Sequence, residues 1–165
     1  MINDQSKSPL YDALRTHALS EVLPFDVPGH KKGSAIPPRF IQDVGREIFK
    51  MDANSTKALD LLSNPEGPIH EAQVLAAKLF NADHAYFLVN GSTAGVQNMI
   101  LASVSEGEKI ILPRNVHKSA INALILSGAI PVYVEPTIHA QTGIAMGVAL
   151  ETYEAAIKAH PEAKA

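Results

Sequence analysis

Ala85-Tyr86-Phe87-Leu88-Val89-Asn90-Gly91-Ser92-Thr93-Ala94-Gly95 is the stretch whose reading decides the fold. Its first five residues form a short apolar run with aromatic and β-branched members, the composition of a buried strand. Asn90-Gly91 then marks a tight turn. Beyond it Val96, Met99, Ile100 and Val104 recur at helical spacing. The stretch therefore predicts a strand over 85–89, a turn, and a helix opening near Gly91.

Working toward the C-terminus, the same alternation repeats. Ser105 to Glu108 is a turn containing Gly107, and Lys109 to Leu112 is a second strand. A helix is predicted from about His117 to Leu126, with Ala120, Ile121, Leu124 and Ile125 inward and Gly128 as its C-cap. Ile130 to Val134 is a third strand, residues 136–148 are loop-like, and a last helix spans about 150–159. Strands separated by ten-residue helices imply βαβ units and a parallel sheet. Strands this apolar fit a sheet covered on both faces, so the body reads as a three-layer α/β structure. Three strands make a narrow open sheet. Residues 160–165 lead to where a further strand should start, so the domain reads as truncated.

Toward the N-terminus, Pro68 opens a helix whose apolar face is Ile69, Ala72, Leu75, Ala76, Leu79 and Phe80. Residues 34–66 are irregular, with one short helix near 38–50. Before them lies Pro24-Phe25-Asp26-Val27-Pro28-Gly29-His30-Lys31-Lys32-Gly33, too rich in proline and glycine for a long regular element. Residues 8–20 predict a short helix carrying Leu10, Leu14 and Ala18, with Ser8 as N-cap and Pro9 at the first helical position. The expected organisation is an N-terminal helical arm over 1–33 and the sheet domain over 34–165.

The chain has 165 residues, 46% hydrophobic and 19% charged, enough to bury a core. A net charge of −3 with no basic block argues against nucleic acid or an anionic membrane as partner. Cysteine is absent, which excludes disulfides and thiolate metal sites and suits a reducing, cytoplasmic setting. Met1 to Lys7 is polar, unlike a signal peptide, and no apolar run approaches a membrane span.

Two places suggest chemistry. The Asn90–Gly95 turn opens a helix, where unpaired N–H groups attract anions and hydroxyls add donors. Gly91, Ser92 and Thr93 are thus either a phosphate site or a plain capping turn. The turn is neither GxxxxGK[ST] nor GxGxxG, which argues against ATP and NAD. Asn115-Val116-His117-Lys118-Ser119 follows the second strand, and ligands of open parallel sheets bind beyond the C-terminal strand ends. His117 either stacks on a flat ring or exchanges protons there, or is a solvent-facing histidine at a helix start. The His and Lys residues of the 28–33 segment suit an anion, or a solvated loop. No histidine falls into a metal-ligand spacing, and there is no GxSxG elbow.

Taken in order, Pro28–Gly33, Asn64–Gln73, Phe87–Thr93, Arg114–Ser119 and Ser127–Tyr133 resemble the major domain of the Orn/Lys/Arg decarboxylases, from about residue 8 to residue 165. The resemblance implies a pyridoxal-phosphate (PLP) enzyme with the aspartate aminotransferase-like sheet, acting on arginine, lysine or ornithine in polyamine-related metabolism. Separately, a sheet cut after three strands leaves an unpaired edge and uncovered apolar surface, so a homodimer or higher homo-oligomer is expected. By position, Gly91, Ser92 and Thr93 would hold the PLP phosphate, His117 would stack on the ring as the catalytic histidine, and Ser119 would lie near phosphate or substrate. The family reads Asn-Gly-Thr-Ser-Thr where this chain has Asn-Gly-Ser-Thr-Ala, so Ala94 removes a third hydroxyl. The family's Ser-x-His-Lys cofactor lysine and its ring-pairing aspartate have no counterpart in these residues. Lys31 and Lys118 each follow a histidine but lack the motif serine. The chain by itself is therefore expected not to turn over. The rival readings are a truncated product that only binds or associates, and another enzyme of the same fold, such as an aminotransferase or aldolase.

Overall fold

The structure is a computed structural model describing residues 4–165; Met1, Ile2 and Asn3, from the polar N-terminal stretch, lie outside the described residues. It divides into two compact units, Met1–Phe87 and Leu88–Ala165.

The first unit is helical. Helix α1 is Pro9–Leu19, α2 Pro38–Val44, α3 Glu47–Met51 and α4 Pro68–Leu79, with α1 packed on α3 and α4. Pro9 stands at the start of α1 as expected, but the Ser8 side chain makes no capping bond. Ser8 serves instead through its carbonyl, which accepts the Asp12 N–H at 2.8 Å. The single helix expected near 38–50 is two. Gly45, at φ +81°, ends α2 and starts a new direction. Phe49 of α3 is buried, its ring 5.6 Å from His30 and 5.7 Å from Phe40. Helix α4 buries Gln73, Leu75 and Ala77, whereas Leu79 and Phe80, read from the sequence as inward, are 64% and 78% exposed. Of the apolar stripe, Leu75 is buried, Ile69, Ala72 and Ala76 are half-buried, and the last turn surfaces.

The second unit runs α5 (Gly91–Ser103), β1 (Lys109–Pro113), α6 (Lys118–Ser127), β2 (Ile130–Val134) and α7 (Leu150–Ala159). β1 and β2 are parallel, in register from Lys109 with Ile130 to Pro113 with Val134. Gly128, at φ +69°, closes α6 in the left-handed conformation that the sequence reading assigned to a glycine cap. The core joins Ile100 and Val104 of the α5 region, Ile110 of β1, Ala120, Ala123 and Leu124 of α6, and Ala129. Ile121 packs against it in part, but Ile125, expected inward, is 76% exposed. Val134 is buried outside that core, and α7 contacts both strands. Alternation along the strands thus puts α5 and α6 on one face and α7 on the other.

The strand expected over 85–89 is absent among the described residues. Ala85 to Leu88 is extended but joins no sheet, and Tyr86 and Val89 are 76% and 82% exposed. The division between the two units falls inside this run. A parallel strand exists only as part of a ladder, and nothing among the described residues pairs with this segment. The reading of residues 160–165 fares better. The Lys164 N–H donates to the Lys109 carbonyl at 2.9 Å and the Ile111 N–H to the Ala165 carbonyl at 2.7 Å. β1 therefore has β2 on one side and Lys164–Ala165 on the other.

Candidate functional site

The chain enters β1 through the turn after α5 and enters β2 through the turn after α6, so both helices run against the strands. The N-termini of α5 and α6 consequently meet the C-terminal edge of the sheet, the ligand edge of open α/β folds. Gly91, Ser92, Thr93, His117 and Ser119 all lie in this one unit and at this edge.

At α5, Gly91 takes φ +68°, and a Cβ there would meet nothing within 4 Å. Conformation, then, is what asks for glycine at this position. Asn90 precedes the helix without a side-chain capping bond. Among the described residues, the N–H groups of Gly91, Ser92 and Thr93 and the two hydroxyls have no hydrogen-bond partner. All of Gly91, Ser92 and Thr93 are exposed. A set of converging donors with nothing to bond, at the positive end of a 13-residue helix, fits an anion such as a phosphate.

At α6 two of the first N–H donors are already used, the Ala120 N–H by the His117 carbonyl at 2.9 Å and the Ser119 N–H by the His117 ring. His117 is the N-cap, and its Nδ1 accepts the Ser119 N–H at 3.2 Å and lies 2.9 Å from Ser119 Oγ. Two donors on Nδ1 assign the neutral ring's proton to Nε2. The ring itself is exposed, whereas Ser119 is 2% exposed. The structure thus joins His117 and Ser119 directly. No hydrogen bond links either to Gly91, Ser92 or Thr93 among the described residues. That a histidine ring caps α6 was not foreseen from the sequence, because histidine is an uncommon N-cap.

The 28–33 segment belongs to the other unit and is bonded internally. Lys32 Nζ donates to the carbonyls of Ser20 at 2.8 Å and His17 at 3.2 Å, closing the C-terminal end of α1. Lys31 Nζ donates to the Asp26 carbonyl. His30 accepts the Gly33 N–H on Nδ1 and reaches Asp52 with Nε2 at 3.1 Å. A Cβ on Gly33 would stand 3.0 Å from Phe49 Cβ. These residues line a cavity of about 410 Å³, but the motif ties the arm to α1 and α3 more than it offers free charge.

Sequence reasoning also passed over Asp60. Its carboxylate accepts N–H bonds from Gly67 at 2.7 Å, Leu61 at 2.8 Å, Glu66 at 3.0 Å and Ile69 at 3.2 Å. Partial burial pushes this carboxyl up, but the N–H groups of Glu66, Leu61, Gly67 and His70 outweigh it and hold the group far below the usual range. Asp60 thereby shapes the Asn64–Pro68 turn and satisfies the start of α4. The available signal was an acidic residue just ahead of a Pro-Glu-Gly-Pro turn.

The family model described as Orn/Lys/Arg decarboxylase, major domain, matches residues 8–165. The arginine decarboxylase of Bacillus subtilis is 42% identical over 160 residues, covering 97% of this chain and 33% of the relative. The lysine decarboxylase LdcA of Pseudomonas aeruginosa is 31% identical over 134 residues, covering 78% of this chain and 18% of the relative. Among solved structures, the constitutive lysine decarboxylase of Escherichia coli superposes with a TM-score of 0.81 at 27% identity, covering 95% of this chain and 24% of that one. The chain spans about a third of the length of the arginine decarboxylase it matches. By its match over residues 8–165, the chain belongs to the Orn/Lys/Arg decarboxylase family.

Proposed function

We propose that these residues serve a PLP-dependent decarboxylase of a basic amino acid, with arginine the first choice of substrate. The observation that carries this reading is the 42% identity, across nearly the whole chain, to an arginine decarboxylase, against 31% to a lysine decarboxylase. In this reading the sheet is the edge portion of the larger aspartate aminotransferase-like sheet, and the activity belongs to the whole protein. We include in the proposal a homo-oligomer, supported by the exposed Leu19, Leu23, Phe25 and Val27, and a cytoplasmic location, supported by the absence of cysteine. No helix among the described residues is long and apolar enough to cross a membrane.

Gly91, Ser92 and Thr93 would hold the PLP phosphate, because their N–H and hydroxyl donors stand unpaired at the start of α5. The bound cofactor supplies an electron-withdrawing ring that accepts the electron pair left when the substrate carboxylate departs as CO₂. His117 would lie against that ring. Its orientation is set from behind by Ser119, whose N–H and hydroxyl both meet Nδ1, leaving the proton on Nε2. Ser119 acts in this way through His117, since its own side chain is buried. Neither Lys31 nor Lys118 is proposed as the cofactor's lysine: the Lys31 ammonium bonds to the Asp26 carbonyl, and Lys118 lacks the family's motif serine.

The test is to titrate the intact protein with PLP and to measure CO₂ release from arginine, lysine and ornithine. Binding of PLP with release from arginine is expected. Replacing Ser92 and Thr93 together by Ala removes two bonds to a charged group, each worth roughly 1.5–3 kcal/mol, and should weaken PLP by at least about tenfold. No PLP binding, or none of the three amino acids decarboxylated, would sink the reading.

A further inference from the structure

Arg114 leaves β1 with its N–H donating to the Val134 carbonyl at 2.8 Å, so it continues the strand alternation. That places it on the face of Leu112, which carries α5 and α6. Tyr133 pairs with Leu112 and shares the face. The guanidinium carbon sits 4.7 Å from the centre of the Tyr133 ring. Among the described residues, the guanidinium makes no ion pair or hydrogen bond. A planar cation thus stands over an aromatic ring at the sheet's ligand edge, with all five donors unused.

Charge decides what it suits. A phosphate ester carries about −1.5 to −2 near neutral pH. The N-termini of α5 and α6 offer about half a positive charge each. Gly91, Ser92 and Thr93 add neutral donors, and the His117 Nδ1 is taken by the Ser119 N–H. About half to one unit of negative charge is left over, which one arginine balances. The substrate carboxylate is a poorer match. A grip on a group that must leave as CO₂ holds the ground state, whereas a grip on the unchanging phosphate carries no such penalty.

We propose that Arg114, laid in place by Tyr133, is the cationic residue of the phosphate site formed at the starts of α5 and α6. The inference rests on the reading of Gly91–Thr93 as the PLP phosphate cradle and adds a residue to it.

The experiment compares PLP with pyridoxal, which lacks the phosphate, by equilibrium titration of the intact protein followed through cofactor absorbance. Arg114→Gln should weaken PLP by about ten- to a hundredfold, as for loss of a charged hydrogen bond, and leave pyridoxal unchanged. Inorganic phosphate should compete with PLP for the wild-type protein and much less for the variant. Arg114→Lys should recover part of the loss, since lysine keeps charge but not the planar fork. Tyr133→Leu keeps the cation, frees it, and should show a smaller loss specific to PLP; Tyr133→Phe should show none. Equal PLP affinity in wild type and Arg114→Gln would overturn the proposal, as would equal losses for PLP and pyridoxal. So would a loss on Lys118→Gln with none on Arg114→Gln. Wild type that binds no PLP would instead remove the functional reading beneath it. Should Arg114→Gln not fold, Tyr133→Leu decides alone.

Discussion

Replacing Gly91 by Ala isolates one backbone angle. Gly91 has φ +68°, and a Cβ placed there touches nothing within 4 Å, so the change introduces no clash. What remains is the cost of holding an L-residue in the left-handed region, roughly 1–2 kcal/mol. Reduced freedom of the unfolded chain offsets roughly 0.4–1 kcal/mol of that. A net loss of about 1 kcal/mol should follow, equivalent to about 2–4 °C in Tm for a domain of this size. Gly91→Asn should fall between glycine and alanine, because asparagine tolerates the left-handed region better. Two other glycines serve as controls. Gly147 lies in open space without a positive φ, and its change to Ala should be neutral. Gly95→Ala would bring Cβ to 2.8 Å from Leu88 Cδ1, the movable end of a side chain. The gain in helix propensity, about 1 kcal/mol, should cancel much of that crowding. Urea and thermal unfolding of the intact protein give the ranking. If the Gly91→Ala backbone relaxes toward negative φ, its N–H turns away from the phosphate cradle, and PLP affinity falls by about tenfold for each 1.4 kcal/mol of donor lost. Gly91→Ala as stable as wild type, or indistinguishable from Gly147→Ala, would refute the argument from conformation.

Two more expectations concern single carboxylates. Asp60→Asn removes the charge that gathers the N–H groups of Leu61, Glu66, Gly67 and Ile69, so hydrogen exchange of those amides should accelerate while Ile110 and Ile111 keep their rates; unchanged exchange at 61–69 would count against Asp60 as the organiser of that turn. Glu162 is held down from 4.5 to about 2, chiefly by the hydrogen bond from the Lys109 ammonium. A carboxyl lowered in the folded state stabilises above its unfolded value and loses that contribution as pH falls through the folded one. The stability gap between wild type and Glu162→Gln should therefore be constant above about pH 5 and shrink between pH 4.5 and about 2; urea midpoints at stepped pH measure it, and a gap that is flat throughout would disprove the coupling.

Much of the architecture is legible in the chain because it is local. Proline marks the first residue of α1, α2 and α4, and Gly128 closes α6. The apolar spacing of α6 names Ala120 and Leu124 correctly for the core. What escapes is set by distant partners. Ala85–Val89 has a strand's composition, yet composition cannot supply the neighbours that make a ladder. Leu79 and Phe80 continue the apolar period of α4 past the point where anything covers them. Asp60 looks like any surface acid until the turn folds back seven to ten residues later to meet it. At the candidate site, the free donors of Gly91–Thr93 were legible from the turn at the start of the helix. The bond between His117 and Ser119, and the stacking of Arg114 on Tyr133, depend on side-chain directions that spacing does not encode.

The two edges of β1 are also filled at different moments in the life of the chain. β2 follows one short helix later, so that edge closes as soon as Ile130 to Val134 has been synthesised. The other edge waits for Lys164 and Ala165, more than twice as far along. The extra loop length costs only roughly 0.8 kcal/mol in closure entropy. The hazard is one of timing, because an unpaired edge in the interval can recruit a strand from a neighbouring nascent chain. Lys109 stands at the start of that edge. Its charge opposes such pairing while the edge is bare, and its ammonium later receives Glu162 at 2.6 Å when the proper segment arrives. The same side chain thus discourages the wrong partner during synthesis and fastens the right one afterwards.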